Sequence, residues 1–278
     1  MTPVYALRYL AVLFLSLFMG LYANGQAHYQ HNVVWGRLVL TDTISGKLRW
    51  EIYLQGRLQN RDAHSLNAFA APQFVSYWPW LTYSIRPTLR VGFSPVGYFR
   101  SWLLIADPAE ANRQPISELR VAARLDQEQR FRRFSYTNRY SLERRWRDLG
   151  NNGVYLPNWR VRYQARIDVP IRAAWVKYLF NLTAFDEVFL QFGKAVRNNP
   201  NVFDQNRIYV GGTYGLTKNI RASLGYIYQV QQRNSGKEFD HANVLFGVLT
   251  FDNLLTPFRR KHQLRSYFGP AVDAAKKS

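Results

Sequence analysis

The sequence predicts an all-β protein: a transmembrane, antiparallel, up-and-down β-barrel of about twelve strands, with ten as the next count. Three observations predict it. Apolar and polar residues alternate with period two through most of the chain after residue 30. Short and long connections alternate between these segments. One parity of the strands collects arginine, while the other collects apolar and aromatic side chains.

The chain starts with a segment that does not belong to the barrel. Arg8 supplies a positive n-region, Leu10 to Leu21 is an apolar run of 12, and Ala23-Asn24-Gly25 has small residues at −3 and −1 of a cleavage site. That is the pattern of a secretory signal peptide over residues 1–25. The run is short of the ~20 residues that a spanning helix needs. The barrel is expected over 26–256. Residues 257–278 lose the alternation, carry Arg259-Arg260-Lys261 and Lys276-Lys277, and read as a basic periplasmic tail.

The strands follow in order. Val33 to Thr41 and Gln73 to Tyr83 read as strands from β-branched and aromatic content. Trp50, Ile52, Leu54 and Leu58 alternate with Arg49, Glu51, Gln55 and Arg57. Leu89, Val91 and Phe93 alternate with Arg90 and Gly92. Leu119 to Leu125 alternates with Glu118, Arg120 and Arg124. Tyr136, Tyr140 and Leu142 alternate with Arg139, Ser141 and Glu143. Val161 to Ile171 opposes Arg160, Arg162, Gln164, Arg166 and Asp168. Val188, Leu190 and Phe192 oppose Glu187 and Gln191. Ile208, Val210 and Tyr214 oppose Arg207 and Thr213, and Ile220 to Val230 opposes Arg221, Ser223 and Gln229. Ala242, Val244, Phe246 and Val248 form a last, weaker strand. Eleven strands are countable. Single-chain bacterial barrels have even counts, which keeps both termini in the periplasm, so twelve is expected.

Connections near 42–47, 84–87, 127–129, 170–174 and 217–219 are short. Those near 59–72, 101–117, 147–157, 193–205 and 232–240 are long. Short turns on one rim and long loops on the other is the organisation of outer-membrane barrels. In that setting the parity is forced. Arg160, Arg162 and Arg166 on the lipid face would each cost about 2–4 kcal/mol near the midplane, so they point inward.

Three segments carry a resemblance. FDQNRIYVGGTYGLTKNIRASLGYIYQVQQ (203–232), FDEVFLQFG (185–193) and NRYSLERRW (138–146) resemble the bacterial secreted family catalogued as domain of unknown function 2490. The resemblance covers roughly residues 30–253. It implies an outer-membrane β-barrel with no established activity. It carries over to Arg139, Glu143, Glu187, Asn206, Arg207 and Gly225-Tyr226. The tail after residue 256 departs from the family's ending on the last strand, which leaves Phe251 as an internal terminal aromatic.

The lumen is therefore expected to hold Arg139, Glu143, Arg160, Arg162, Arg166, Glu187, Asn206, Arg207 and Arg221. Two readings follow from it. Arg–carboxylate pairs across strands would make a structural plug. A surplus of arginine would attract phosphate, carboxylate or acidic-sugar solutes into a narrow anion-selective pore. From another class, a soluble periplasmic barrel binding an anionic ligand also alternates.

Other functions find little support. The chain has 37 Lys+Arg against 18 Asp+Glu, a formal charge of +19. Much of the arginine is spread over one face of many strands of a secreted chain, so no nucleic-acid partner is expected. The five histidines (28, 31, 64, 241 and 262) are scattered and no Ser sits in a GxSxG setting, so neither catalysis nor a cofactor is expected. Cysteine is absent, which excludes disulfides and thiolate metal sites. His28 and His31 read as solvated residues rather than metal ligands. The expected partners are outer-membrane lipid, the barrel-assembly machinery and a small anionic solute. The expected state is a monomer in the bacterial outer membrane.

Overall fold

Period-two alternation puts successive side chains on opposite faces of an extended chain. Eleven segments take that form in the computed structural model, which describes residues 27–62, 65–171, 180–199 and 201–256. The expected signal peptide and basic tail lie outside the described residues. The strands are β1 (Ala27–Thr43), β2 (Leu48–Gln59), β3 (Ala71–Arg86), β4 (Leu89–Ser101), β5 (Ile116–Arg130), β6 (Ser135–Asp148), β7 (Leu156–Ile171), β8 (Phe180–Gly193), β9 (Phe203–Gly215), β10 (Ile220–Gln232) and β11 (Glu238–Asp252). No helix among the described residues is long and apolar enough to cross a membrane.

Each strand pairs antiparallel with the next, and β1 meets β11 to close the barrel. Closure leaves no unpaired sheet edge. The expected barrel is present, and its described strands number eleven rather than twelve. After ten successive reversals β11 runs in the same direction as β1, so the seam is parallel, with Val33 opposite Val244 and Trp35 opposite Phe246. The chain thus enters β1 at one rim and leaves β11 at the other. The entry rim also carries the connections 60–70, 102–115, 149–155, 194–202 and 233–237. The exit rim carries 44–47, 87–88, 131–134 and 216–219. These are called the long-loop and short-turn rims below.

The wall sorts its side chains as the alternation predicts over most of its circumference. Leu54, Val75, Leu119, Leu142, Val161, Leu190, Val210 and Leu224 stand exposed on the outer face. Arg120, Arg124, Glu143, Arg160 and Glu187 are buried inside. At the long-loop end Arg144 turns outward, its guanidinium 4.8 Å from the ring centre of Trp159.

The last strand reverses the expectation. Ala242, Val244 and Phe246 are buried and pack with Val33, Trp35, Tyr209, Ile227 and Leu104 in a cluster inside the barrel, whereas Leu245 is exposed on the outer face. Strand β11 is apolar on both parities, so alternation alone could not orient it. Tyr209 lies over the paired glycines Gly211 and Gly225. A Cβ at either glycine would collide with its ring, so the bare backbone there is a packing requirement.

Candidate functional site

The inward arginines and carboxylates meet at mid-height. Glu143 in β6 is completely buried and receives three guanidiniums. Arg160 reaches it at 2.7 Å, Arg162 at 2.7 Å and Arg120 at 3.1 Å. Arg162 also pairs with Glu187, and Arg160 with Asp204 at 3.3 Å. Glu118 takes Arg120 at 2.5 Å and Arg145 at 2.7 Å. Arg124, four residues on from Arg120 in β5, spans to Glu51 of β2 at 2.8 Å and to Thr82 of β3 at 2.9 Å. Nearer the short-turn rim, Arg139 pairs with Asp126 at 2.5 Å. Each charge in this waist is met by an opposite charge and by directed hydrogen bonds, the condition under which buried ions are tolerated.

The balance changes toward the long-loop rim. Arg57 makes no ion pair and no hydrogen bond with the described residues. Its guanidinium lies 3.7 Å from the Trp35 ring centre and 4.1 Å from that of Phe74. Arg207 flanks the same Trp35 at 5.0 Å. Arg207 bonds Gln229 and Gln205, and its nearest carboxylate is Glu187 at 3.7 Å. Among the described residues Arg37 bonds only Gln55 Oε1, at 2.9 Å. The aromatic rings hold these guanidiniums in place without neutralising them.

These three arginines, with Arg120, Arg145, Arg147, Arg160 and Arg162, line a cavity of about 370 Å³. Trp78, Phe99, Gln55 and Gln73 also line it, as do the carboxylates Glu118, Asp204 and Asp240. Four buried donors on this wall meet no acceptor: Gln55 Nε2, Arg57 Nε, Trp78 Nε1 and Arg147 Nε. One wall acceptor, Gln73 Oε1, is also unmet. Orphaned buried donors are rare in folded proteins, and of these four the Arg147 Nε faces Glu118 at 3.8 Å.

The connection 102–115 folds across this mouth. Gln59 donates to Leu103 O at 2.9 Å and accepts from Ile105 N at 3.1 Å. Leu104 enters the inner apolar cluster. A 3-10 turn at Pro108–Asn112, capped by Asp107, presents Glu110. Arg233 clamps it, donating to Glu110 at 2.7 Å, to Leu104 O at 3.0 Å and to Asp240 at 2.8 Å. Burial opposes the charge on Glu110. Arg233 and the Ala106 N–H outweigh it and hold the carboxyl below its ordinary value of 4.5. Burial likewise opposes Arg233, but Glu110 and Asp240 raise it above its ordinary value. Asp240 also bonds His31 at 2.9 Å. His31 is fully buried, not solvated as expected from its position near the start of the chain.

A second cavity, of about 500 Å³, opens at the short-turn rim and is lined by Arg90, Arg130, Arg132, Arg133, Arg139 and Arg166. The two cavities share no lining residue. The waist lies between them.

Of the nine residues expected in the lumen, Glu143, Arg160, Arg162, Glu187 and Arg207 come together at or above the waist. Arg139 and Arg166 sit lower, Arg166 paired with Asp168 at 2.7 Å on its own strand. Arg221 is at the short-turn rim, pairing Asp252 at 2.7 Å and half exposed. Asn206 is a correction. It falls on the outward parity and donates to Asp186 at 2.6 Å on the outer face. Pairing within its own wall hides this polar group, so it has no place in the lumen. Arg139 and Glu143, two inward positions apart on β6, take partners on neighbouring strands and not each other.

Arg145 and Asp126 were legible, since they continue the parities of Glu143 and Arg124 by two residues. Phe189, between Glu187 and Gln191 on the polar parity, was legible too; Arg37 and the inward rings of Trp35, Trp78 and Phe99 were not, because an aromatic parity reads as lipid-facing. Among the described residues no group of three or more His, Asp or Glu is arranged to hold a metal.

Comparison with known proteins adds a family. A family model described as "Protein of unknown function (DUF2490)" matches residues 32–240. No curated protein matches the chain. Two solved structures are similar in part. LpxR from Salmonella typhimurium aligns at 7% identity over 73% of this chain and 83% of its own, with a TM-score of 0.44. The siderophore receptor PirA from Pseudomonas aeruginosa aligns at 9% identity over 69% of this chain and 37% of its own, with a TM-score of 0.28.

Proposed function

The chain belongs to the DUF2490 family, and from its own interior we propose an outer-membrane barrel that is closed at the waist and binds a small anionic solute in its arginine-lined mouth. The observation that carries the reading is the group around Trp35. Among the described residues Arg57 and Arg37 have no carboxylate partner, and they line the same cavity as the buried donors without a hydrogen-bond acceptor, Arg57 Nε among them. An acceptor-rich, negatively charged occupant would satisfy both needs. Phosphate, carboxylate and acidic-sugar groups fit that chemistry.

The paired waist supports binding over conduction. An anion passing it would have to displace Glu143 and Glu187 from guanidiniums that already hold them. The membrane part of the reading rests on the exposed apolar outer wall and on the inward arginines, which lipid would exclude from the other face. The barrel-assembly machinery is then the partner that inserts it.

The test uses folded protein in neutral detergent, with tryptophan fluorescence as the readout, since Trp78 and Trp102 line the cavity. Citrate, glucuronate and inorganic phosphate are titrated against neutral glucose. Saturable quenching by an anion, weakened about ten- to a hundredfold by Arg57→Gln, is the expected result. Equal response to glucose, or no effect of the substitution, overturns the site. Steady conductance of the wild type in planar bilayers overturns the closed waist. A protein that stays in solution without detergent overturns the membrane assignment and leaves the soluble anion-binding barrel.

A further inference from the structure

The short-turn rim holds a second concentration of positive charge, which neither the waist nor the mouth uses. It centres on the turn between β5 and β6, Arg130-Phe131-Arg132-Arg133-Phe134. Arg130 pairs with Glu128 at 2.6 Å, which Arg90 also approaches at 3.7 Å. Arg166 is taken by Asp168 and Arg139 by Asp126. Arg132 and Arg133 are left over. Both are exposed, and neither makes an ion pair or hydrogen bond with the described residues. Both open onto the lower cavity, where six arginines face two carboxylates, Glu128 and Asp168.

The two phenylalanines of the turn decide what kind of anion this is. Phe131 and Phe134 stack with ring centres 4.6 Å apart, yet they are 45% and 38% exposed. They edge the lower cavity at the end of strands whose outer face exposes Leu125, Tyr140 and Ile167 of β5, β6 and β7. A free phosphate ion gives such rings nothing to pack against. Rings at the edge of an apolar wall with arginines beside them match the boundary between acyl chains and headgroups. The chain leaves β11 at this rim, where the Thr256 N–H donates to Asp42.

We propose that the β5–β6 turn and the lower cavity bind the headgroup of an anionic phospholipid. Arg132 and Arg133 would meet its phosphate, and Phe131 and Phe134 the adjoining acyl chains. Short turns face the periplasm in such barrels, so the lipid would come from the periplasmic leaflet. The inference rests on the membrane reading and not on the mouth cavity.

The full-length mature protein is placed in nanodiscs holding equal phosphatidylglycerol and phosphatidylcholine. The lipids that stay on the released barrel are counted by native mass spectrometry. Retention of phosphatidylglycerol over phosphatidylcholine is expected. Arg132→Ser with Arg133→Ser should reduce the preference about thirtyfold, from about tenfold per 1.4 kcal/mol and about 1 kcal/mol per basic residue at an anionic surface. Arg132→Lys with Arg133→Lys should keep most of it. Phe131→Ser with Phe134→Ser should weaken retention of both lipids while leaving the preference.

A wild type that retains the two lipids equally overturns the proposal, whatever the variants do. Inorganic phosphate that displaces phosphatidylglycerol at equal concentration overturns it in favour of a free-anion site. A barrel that inserts normally but shows no preference loses this inference alone and keeps the membrane assignment.

Discussion

Replacing Glu143 with alanine removes the carboxylate on which three guanidiniums converge at the waist. Its loss frees the contacts of Arg160 at 2.7 Å, Arg162 at 2.7 Å and Arg120 at 3.1 Å. None of the three is left alone. Arg160 keeps Asp204, Arg162 keeps Glu187 and Arg120 keeps Glu118. The cost is therefore that of breaking one buried pair, about 3–5 kcal/mol, and not three times that. It is still a large share of an ordinary domain's stability of about 5–15 kcal/mol. Urea unfolding in lipid vesicles, followed by the heat-dependent gel shift of folded barrels, measures it. Formate in the buffer should restore part of the loss, because it fills the vacated volume with a carboxylate. A loss below about 1 kcal/mol would refute the reasoning, since the waist would then not be held by its charges.

Three further outcomes follow. Acid should open the mouth loop. The Glu110 carboxyl is held below its ordinary 4.5, so the stability it adds is full above that value and is lost as pH falls through the depressed one; the hydrogen-exchange protection factors of residues 102–115, which are corrected for the intrinsic pH dependence of exchange, should fall below about pH 4 and stay flat from 5 to 8. Gly225→Ala should destabilise the barrel by about 1–3 kcal/mol, because the new methyl meets Tyr209, and Tyr209→Leu should relieve part of it. The parallel seam puts the ends of the barrel on opposite rims, so an epitope before Ala27 should be reached on intact cells and one after Thr256 only after permeabilisation; both epitopes on one side would mean a different closure.

The legible part of this protein was whatever a single strand decides for itself. Arg160, Arg162, Gln164 and Arg166 against Val161, Tyr163, Ala165 and Ile167 leave one orientation, because charge on the lipid side costs several kcal/mol per residue. Strand β11 shows where this stops. Its parities Ala242–Val248 and Leu245–Leu249 are both apolar, and the side that turned in is the one whose volume fits beside Trp35 and Tyr209. Asn206 failed for a related reason. The family resemblance carried it into the lumen set against its own parity, but an outward Asp186 one strand away supplied its partner, and such a pairing is invisible along the chain.

The sequence by itself determined that the chain would alternate into a barrel wall and that the arginines on the polar parity of β5 to β9 would turn inward. Both follow from local chemistry, the two-residue repeat of a strand and the cost of an ion in lipid. Only the tertiary structure decided the rest. It set the parallel closure of eleven strands, because a seam is chosen by the two ends of the chain and not by any one strand. It also separated paired from unpaired arginine. Arg162 and Arg57 look alike in sequence, each alternating with apolar neighbours. The register gives Arg162 two carboxylates and gives Arg57 two aromatic rings, and that difference turns one into a strut and the other into a binding group.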